Sequence, residues 1–292
     1  MKKVGIITDS HSGITQKQAE ELGIFVLPMP FYFGEECYYE DVTLSREEFF
    51  EKLNSGIRVS TSQPSPADVM KIWDDGLKQF EQIVYIPISS GLSGSCASAS
   101  SLAQEEPYKD KVFVVDNGRV SSPLHRSVLD ALELADEGYQ GAEIQEILEA
   151  ARDKMVIYVA VETLAHLKNG GRISPTTAAL GTVLNIKPVL KFDVGTLDTF
   201  KKCRGFANAR KTMLAAMRHD LETTFHEWYE KGEVSLLAAS SSSPMVTQEW
   251  LAEIQEAFPD MEVMCDNISL GVSCHIGPGG LGIGCSCRPK RK

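Results

Sequence analysis

Residues 83–96 read Ile-Val-Tyr-Ile-Pro-Ile-Ser-Ser-Gly-Leu-Ser-Gly-Ser-Cys, an apolar run that gives way to closely spaced serines and glycines. Such a run, followed by an Ala/Ser-rich stretch, predicts a buried strand, a tight turn and the start of a helix. The turn has the chemistry to hold an anion. The first amides of a helix have no internal acceptor, so the N–H groups of Ser93 to Ser95 are expected to be free. Gly91 and Gly94 let the backbone turn, and the hydroxyls of Ser90, Ser93 and Ser95 add donors for a carboxylate or phosphate. A serine helix cap without any ligand gives the same spacing.

Other stretches carry comparable chemistry. Val59-Ser-Thr-Ser-Gln-Pro-Ser-Pro66 joins hydroxyls to two prolines. The prolines stiffen the loop, so it can present Thr61 and Ser62 rigidly while also serving as a helix lead-in, with Ser65 as cap and Pro66 at the first position. Arg172 stands between Gly170-Gly171 and Ser174-Pro175, a setting that suits either a carboxylate or phosphate contact or a structural hydrogen-bond hub or ion pair. Lys201, Lys202, Arg204, Arg210 and Lys211 form a basic cluster in an acidic chain, suited to an anionic ligand or partner as well as to a solvated helix end. Gly91-Leu-Ser93-Gly-Ser95 misses the nucleophile elbow GxSxG by its last glycine; with His275 and either Asp116 or Asp9 it admits a serine hydrolase or acyltransferase as the alternative reading. Cys274, Cys285 and Cys287 lie near His275, but Cys-x-Cys lacks the spacing that usually lets two thiolates share one zinc. Gly277-Pro-Gly-Gly-Leu-Gly282 matches GxGxxG, yet only ten residues follow it, too few for the helix and strand that give the motif its meaning.

The elements that must position these groups alternate. Apolar strands are expected over residues 4–8, 83–88 and 112–115, with helices over 16–22, 95–105, 122–136 and 141–154 and a capping box at Ser45 and Glu48 for a helix ending near residue 53. Residues 25–33 read as one strand, marked as an edge or irregular one by Pro28 and Pro30. This pattern predicts a parallel sheet covered on both faces, with Asp9, Ser93 and Asp116 off the carboxyl ends of the strands, where ligands lie. In the second half, strands are expected over 155–161 and 184–191, the latter turning through 193–195 into a hairpin partner over 196–201. A short helix ending at Gly170-Gly171, a further helix from Ser174-Pro175, a long helix to about residue 230, a strand over 234–239, a helix over 244–258, a short edge near Val263 and a glycine-rich hairpin over 268–285 with His275 at its turn complete the expectation.

The totals agree with a globular chain. There are 292 residues, 43% hydrophobic and 24% charged, enough for two cores. A net charge of −11 argues against nucleic acid as partner. No apolar run approaches the ~20 residues of a membrane span, and an odd set of seven cysteines is no disulfide framework. We therefore expect a cytoplasmic protein without stable membrane insertion.

Seven stretches, in order, resemble the DegV family of bacterial fatty acid-binding proteins: Thr8-Asp-Ser10, Pro28-x-Pro-Phe-Tyr32, Thr61-Ser-Gln-Pro-Ser65, Ser89-Ser-Gly-Leu-Ser-Gly94, Gly170-Gly-Arg-Ile-Ser174, Asn185-Ile-Lys-Pro-Val-Leu190 and His275-x-Gly-Pro-Gly279. The resemblance implies a two-domain α/β fold, with an N-terminal three-layer α/β/α domain on a parallel sheet (residues 1–155) and a C-terminal α/β domain on a mixed sheet (156–292). It implies a non-enzymatic carrier without a cofactor. One long-chain fatty acid is bound, its carboxylate at the cleft and its tail in an apolar tunnel, and is presented to a separate fatty acid kinase that makes the acyl phosphate for phospholipid metabolism. Carried over by motif, Thr61 and Ser93 bind the carboxylate with Ser62 beside them, an amide at Ser93 or Gly94 assists, Arg172 and His275 complete the polar network, and Arg204 faces the kinase. The chain departs from the pattern where Pro123 and His125 replace small residues, which is expected to narrow the tunnel, and where Ile276 replaces a usual threonine, which removes one hydroxyl near the headgroup.

Overall fold

The computed structural model describes residues 2–173, 186–193 and 195–291. The first half builds a parallel sheet. Strand β1 (Lys2–Asp9) pairs with β2 (Phe25–Leu27) on one side and β6 (Phe80–Ile86) on the other, and β6 pairs with β7 (Val112–Val114). Successive residues face opposite sides of a strand, so the near-continuous apolar runs serve two cores. Ile6 and Val84 pack under α5 (Ser121–Asp136) and α6 (Gly141–Ala150). Ile7, Ile83 and Tyr85 pack under α3 (Pro66–Leu77) and α4 (Ser95–Leu102), around the fully buried Trp73. The predicted capping box forms, Ser45 with Glu48 opening α2 (Arg46–Asn54), and a second one that was not predicted, Thr15 with Gln18, opens α1 (Gln16–Leu22).

Residues 25–33 are not one strand. The prolines at 28 and 30 interrupt the run, so β2 closes the parallel sheet while β3 (Pro30–Phe33) leaves it for a small antiparallel sheet with β4 (Glu36–Tyr39) and β5 (Val59–Thr61), in the order β4-β3-β5. Thr61 is therefore the end of a paired strand, opposite Phe31, rather than part of a free loop.

The second half builds a mixed sheet in the order β10-β9-β8-β13-β11-β12, from β8 (Met155–Ala160), β9 (Ile186–Asp193), β10 (Thr196–Arg204), β11 (Val234–Ser240), β12 (Val263–Asn267) and β13 (Leu281–Cys287). In β8, Val156, Tyr158 and Ala160 face a core covered by α8 (Phe206–Glu222) and α10 (Pro244–Ala257). Met155, Ile157 and Val159 face the other way, toward Ile88, Val120 and Ile268. The long helix predicted to residue 230 breaks at residues 223–225 into α8 and α9 (His226–Glu230).

The predicted C-terminal hairpin is wrong. Ser269 caps a helix, α11 (Leu270–Ile276), by accepting the Val272 amide, and β13 lies inside the sheet between β8 and β11. Ile268, Val272 and Ile276 recur every four residues and present one apolar face, a helical period that the glycines of this stretch concealed. The α11 helix packs on β3, β5, α2 and on α7 (Ala165–Gly170). The hairpin of β9 and β10 forms, pairing Asp193 with Thr196. The helix expected at Ser174-Pro175 lies outside the described residues, as do Leu184, Asn185 and the turn residue Val194.

The two sheets are bound together by α5, which also contacts β11, β12 and β13. Ser122 Oγ donates to the Ala238 carbonyl at 2.8 Å, and His125 Nδ1 lies 3.0 Å from Asp266 Oδ1. Arg119, 1% exposed, donates to Ser286 Oγ and to the carbonyls of Pro123 and Ala151. Pro123 and His125 are thus used as packing between the sheets; neither lines the chamber described below.

Candidate functional site

The open face of the mixed sheet and the loops at the carboxyl end of the parallel sheet enclose a chamber with a cavity volume of about 110 Å³. Its walls are mostly apolar, from Ile88, Leu92, Val159, Leu167, Phe192 and Ile276 among others. Polar side chains enter from separate elements: Thr61 and Ser62 from the end of β5, Ser93 from the β6–α4 turn, Arg172 from the bend after α7, and His275 from α11.

Each is placed by its neighbours. Asp9 Oδ2 accepts the Ile88 amide at 2.8 Å, pinning the loop after β6 to the end of β1. Ser89 then turns the chain: its amide donates to the Arg119 carbonyl, and its own carbonyl accepts the amides of Leu92 and Ser93. The Ser93 amide is therefore already used, and the Ser95 amide donates to Ser93 Oγ at 3.2 Å. Of the three amides expected to be free, only that of Gly94 has no acceptor among the described residues, and Gly94 does not line the chamber. Ser90 also turns away, donating to Asp116 Oδ2 at 2.6 Å beside the Arg152–Asp116 ion pair. Gly94 keeps an ordinary negative φ of −70°. Gly91 serves close approach: a Cβ there would lie 2.3 Å from the Gly195 carbonyl oxygen. With its oxygen accepting from Ser95, Ser93 retains a free O–H to donate into the chamber.

His275 Nε2 lies 3.0 Å from Thr61 Oγ1, and Nδ1 is buried without a partner among the described residues. Gly170 packs against that Nδ1, and a Cβ there would lie 2.0 Å from it. An orphaned N–H is rarer in buried sites than an under-used acceptor, so the proton belongs on Nε2, donating to Thr61. The Thr61 hydroxyl proton is then released toward the chamber. Burial, followed by the positive charge of Arg172 and the nearby His11 and His166, pushes the His275 pKa down to about 3, and the ring is neutral at ordinary pH. Arg172 donates to the Gly170 carbonyl across the left-handed bend at Gly171 (φ +67°). Its guanidinium pairs with no carboxylate among the described residues. Two hydroxyl donors, a fixed neutral imidazole and an arginine thus line one mostly apolar chamber, a set of groups suited to a single carboxylate with a long apolar substituent.

The arrangement does not assemble a hydrolase triad. No histidine among the described residues hydrogen-bonds Ser93; His275 serves Thr61, Asp116 serves Ser90 and Arg152, and Asp9 serves His11 and Ile88. No group of three or more metal-ligating side chains occurs among the described residues, and Cys274 lies on α11 while Cys285 and Cys287 are buried on β13. Arg204 stands outside the chamber, exposed at the end of the edge strand β10 with Lys201 and Lys202. Sequence reasoning missed His11 and Ser121, both in the chamber wall.

Residues 3–287 match the family model described as "Uncharacterised protein, DegV family". The chain belongs to the DegV family. A DegV domain-containing protein of Clostridium perfringens, CPE0026, is 31% identical over 290 residues, covering 97% of each chain. A DegV family protein from Thermus thermophilus, described by its fatty acid binding, superposes with a TM-score of 0.85 at 29% identity, over 98% of this chain and 99% of that one. DegV of Bacillus subtilis, described as a fatty acid binding protein, gives 0.82 at 25% identity, over 98% and 100%. The DegV fold, a parallel sheet joined to a mixed sheet, is thus that of the whole chain. No helix among the described residues is long and apolar enough to cross a membrane.

Proposed function

We propose that this protein binds one long-chain fatty acid and carries it to a fatty acid kinase in the cytoplasm, where the carboxylate is phosphorylated for phospholipid metabolism. The observation that carries the reading is that Thr61, Ser93, Arg172 and His275 line one mostly apolar chamber, with His275 Nε2 3.0 Å from Thr61 Oγ1. The fatty acid binding named for the Thermus thermophilus and Bacillus subtilis proteins supports it. Burying ~14 methylenes at ~0.8 kcal/mol each contributes more than ten kcal/mol before ordering costs, whereas the headgroup bonds mainly set direction. The apolar walls therefore supply affinity, and the hydroxyls, arginine and neutral imidazole supply orientation. Ser62, exposed and in the chamber lining, assists the carboxylate at its solvent side. In this account residues 1–155 bring the hydroxyl turns and residues 156–292 enclose the tail. Arg204, with Lys201 and Lys202, offers the kinase a basic face. The acid is the only ligand required, without a cofactor, and the protein itself performs no catalysis.

Titration with hexadecanoate and with hexadecanol tests the assignment. The acid is expected to bind the unaltered protein tightly and Thr61→Val about tenfold more weakly, while the alcohol binds both alike, since the lost donor serves only the carboxylate. Equal losses for acid and alcohol would place Thr61 outside the headgroup grip.

A further inference from the structure

Two polar groups in the chamber wall are left over by the carboxylate grip. His11 is 7% exposed and lines the chamber. Its Nδ1 lies 3.2 Å from Asp9 Oδ1, which also accepts the His11 amide at 2.9 Å, while Asp9 Oδ2 accepts from Ile88. A carboxylate so placed is acceptor only, so Nδ1 carries a proton, and in that tautomer Nε2 is the acceptor. Nε2 has no hydrogen-bond partner among the described residues. It rests against Gly271, where a Cβ would lie 2.8 Å away. Gly271 and His275 are four residues apart on α11 and share a face, so the His11 ring lies against α11 one turn before the histidine that holds Thr61. On that side the apolar Ile268 and Val272 line the chamber.

The second group is Ser121, the first residue of α5. It is 8% exposed, lines the chamber, and its hydroxyl has no partner among the described residues. The N-cap, Val120, provides no side-chain hydrogen bond to the helix terminus. The α5 helix packs against the 3-10 turn Ser10–Ser12 that carries His11. An acceptor with a fixed tautomer and an unsatisfied hydroxyl thus reach one apolar chamber from two adjoining elements. A plain alkyl chain leaves both unmade.

We propose that the chamber takes acyl chains bearing a hydroxyl on a carbon close to the carboxylate, with His11 Nε2 accepting the ligand O–H and Ser121 donating to the same oxygen. The inference rests on the fatty acid reading above and names the class of acid. An apolar chamber without such partners rejects a hydroxylated chain, because the hydroxyl loses its water and gains nothing.

The test compares hexadecanoate, 3-hydroxyhexadecanoate and 16-hydroxyhexadecanoate by calorimetric titration of the full-length protein. The unaltered protein is expected to bind the 3-hydroxy acid at least as tightly as hexadecanoate and the 16-hydroxy acid about tenfold more weakly. His11→Phe, which keeps a ring but no nitrogen, should cost the 3-hydroxy acid about tenfold and leave hexadecanoate within about threefold. Ser121→Gly, whose backbone suits the positive φ of 56° at this position, should give the same selective loss if the histidine variant fails to fold. Rejection of both hydroxy acids alike by the unaltered protein overturns the inference, as does an equal loss of all three acids in the variants. Failure of the unaltered protein to bind any of the three overturns the fatty acid reading itself, and this inference with it.

Discussion

At the scale of single residues, the site turns on keeping His275 neutral. Burial and the neighbouring Arg172 hold its pKa near about 3, whereas an exposed histidine titrates near ~6.5. Between these values the unfolded chain binds a proton that the native chain refuses, so stability falls as pH drops through that window. Urea titrations at pH 7 and pH 4.5 should show His275→Gln losing less stability between the two than the unaltered protein does; parallel losses would contradict the assignment. Arg172→Met should weaken hexadecanoate binding by about 10- to 100-fold, the range of a charge-assisted hydrogen bond, without moving the binding of hexadecanol. Thr61, Ser93 and Arg172 stood out because each lies near a proline or glycine turn, whereas His275 was read at a hairpin turn that is in fact part of α11, and its role came only from the family resemblance. His11 was not legible, since an Asp-Ser-His-Ser string gives no sign of its tautomer, and the glycine that admits its ring is 260 residues away. The serine turn was read with too many free amides, because Ser89 and Ser93 satisfy those of Ser93 and Ser95.

At the scale of elements, the account depends on how α11 is held. Glu40 Oε2 accepts the Leu270 amide at 2.8 Å, and Arg46 donates to the carbonyls of Ile268 and Ser240, so both sides of the chain entering α11 are clamped from the first half. Burial raises the Glu40 pKa to about 8, against the opposing pull of the Leu270 amide and Arg46. A carboxyl whose native pKa lies above its unfolded value contributes most at low pH, and that contribution is lost as pH rises from about 4.5 to about 8. Glu40→Gln, which keeps an acceptor without the charge, should raise the melting temperature at pH 8.5 relative to the unaltered protein, by about 2 °C, and have little effect at pH 5. An equal change at both pH values would show that the titration plays no part. This clamp could not be read from the sequence, where residues 268–285 looked like a glycine-rich hairpin. The parallel strands and their helices were legible because their apolar runs and caps are local, whereas the insertion of α11 beside β5 and the position of β13 inside the sheet are set by contacts across the whole chain.

At the scale of the whole molecule, two sheets share α5 and close over one chamber, to which the first half supplies Thr61 and Ser93 and the second half Arg172, His275 and the apolar strand residues Val159 and Phe192. A ligand that touches both should stabilise them together. At a hundred times its dissociation constant an acid that binds only the folded state adds ~2.7 kcal/mol, a shift of several degrees for a chain of this size. The parallel sheet followed from periodicity and the mixed sheet only from the family resemblance, whereas the closure followed from neither, because it depends on Pro123, His125 and Arg119 packing between the sheets rather than filling the chamber. The most direct measurement is mass spectrometry of the material released when the purified, denatured protein is extracted with solvent. The account predicts long-chain acid approaching one equivalent per chain, and a marked reduction in the Arg172→Met variant. Absence of any such acid, together with no rise in melting temperature on adding hexadecanoate, would contradict it.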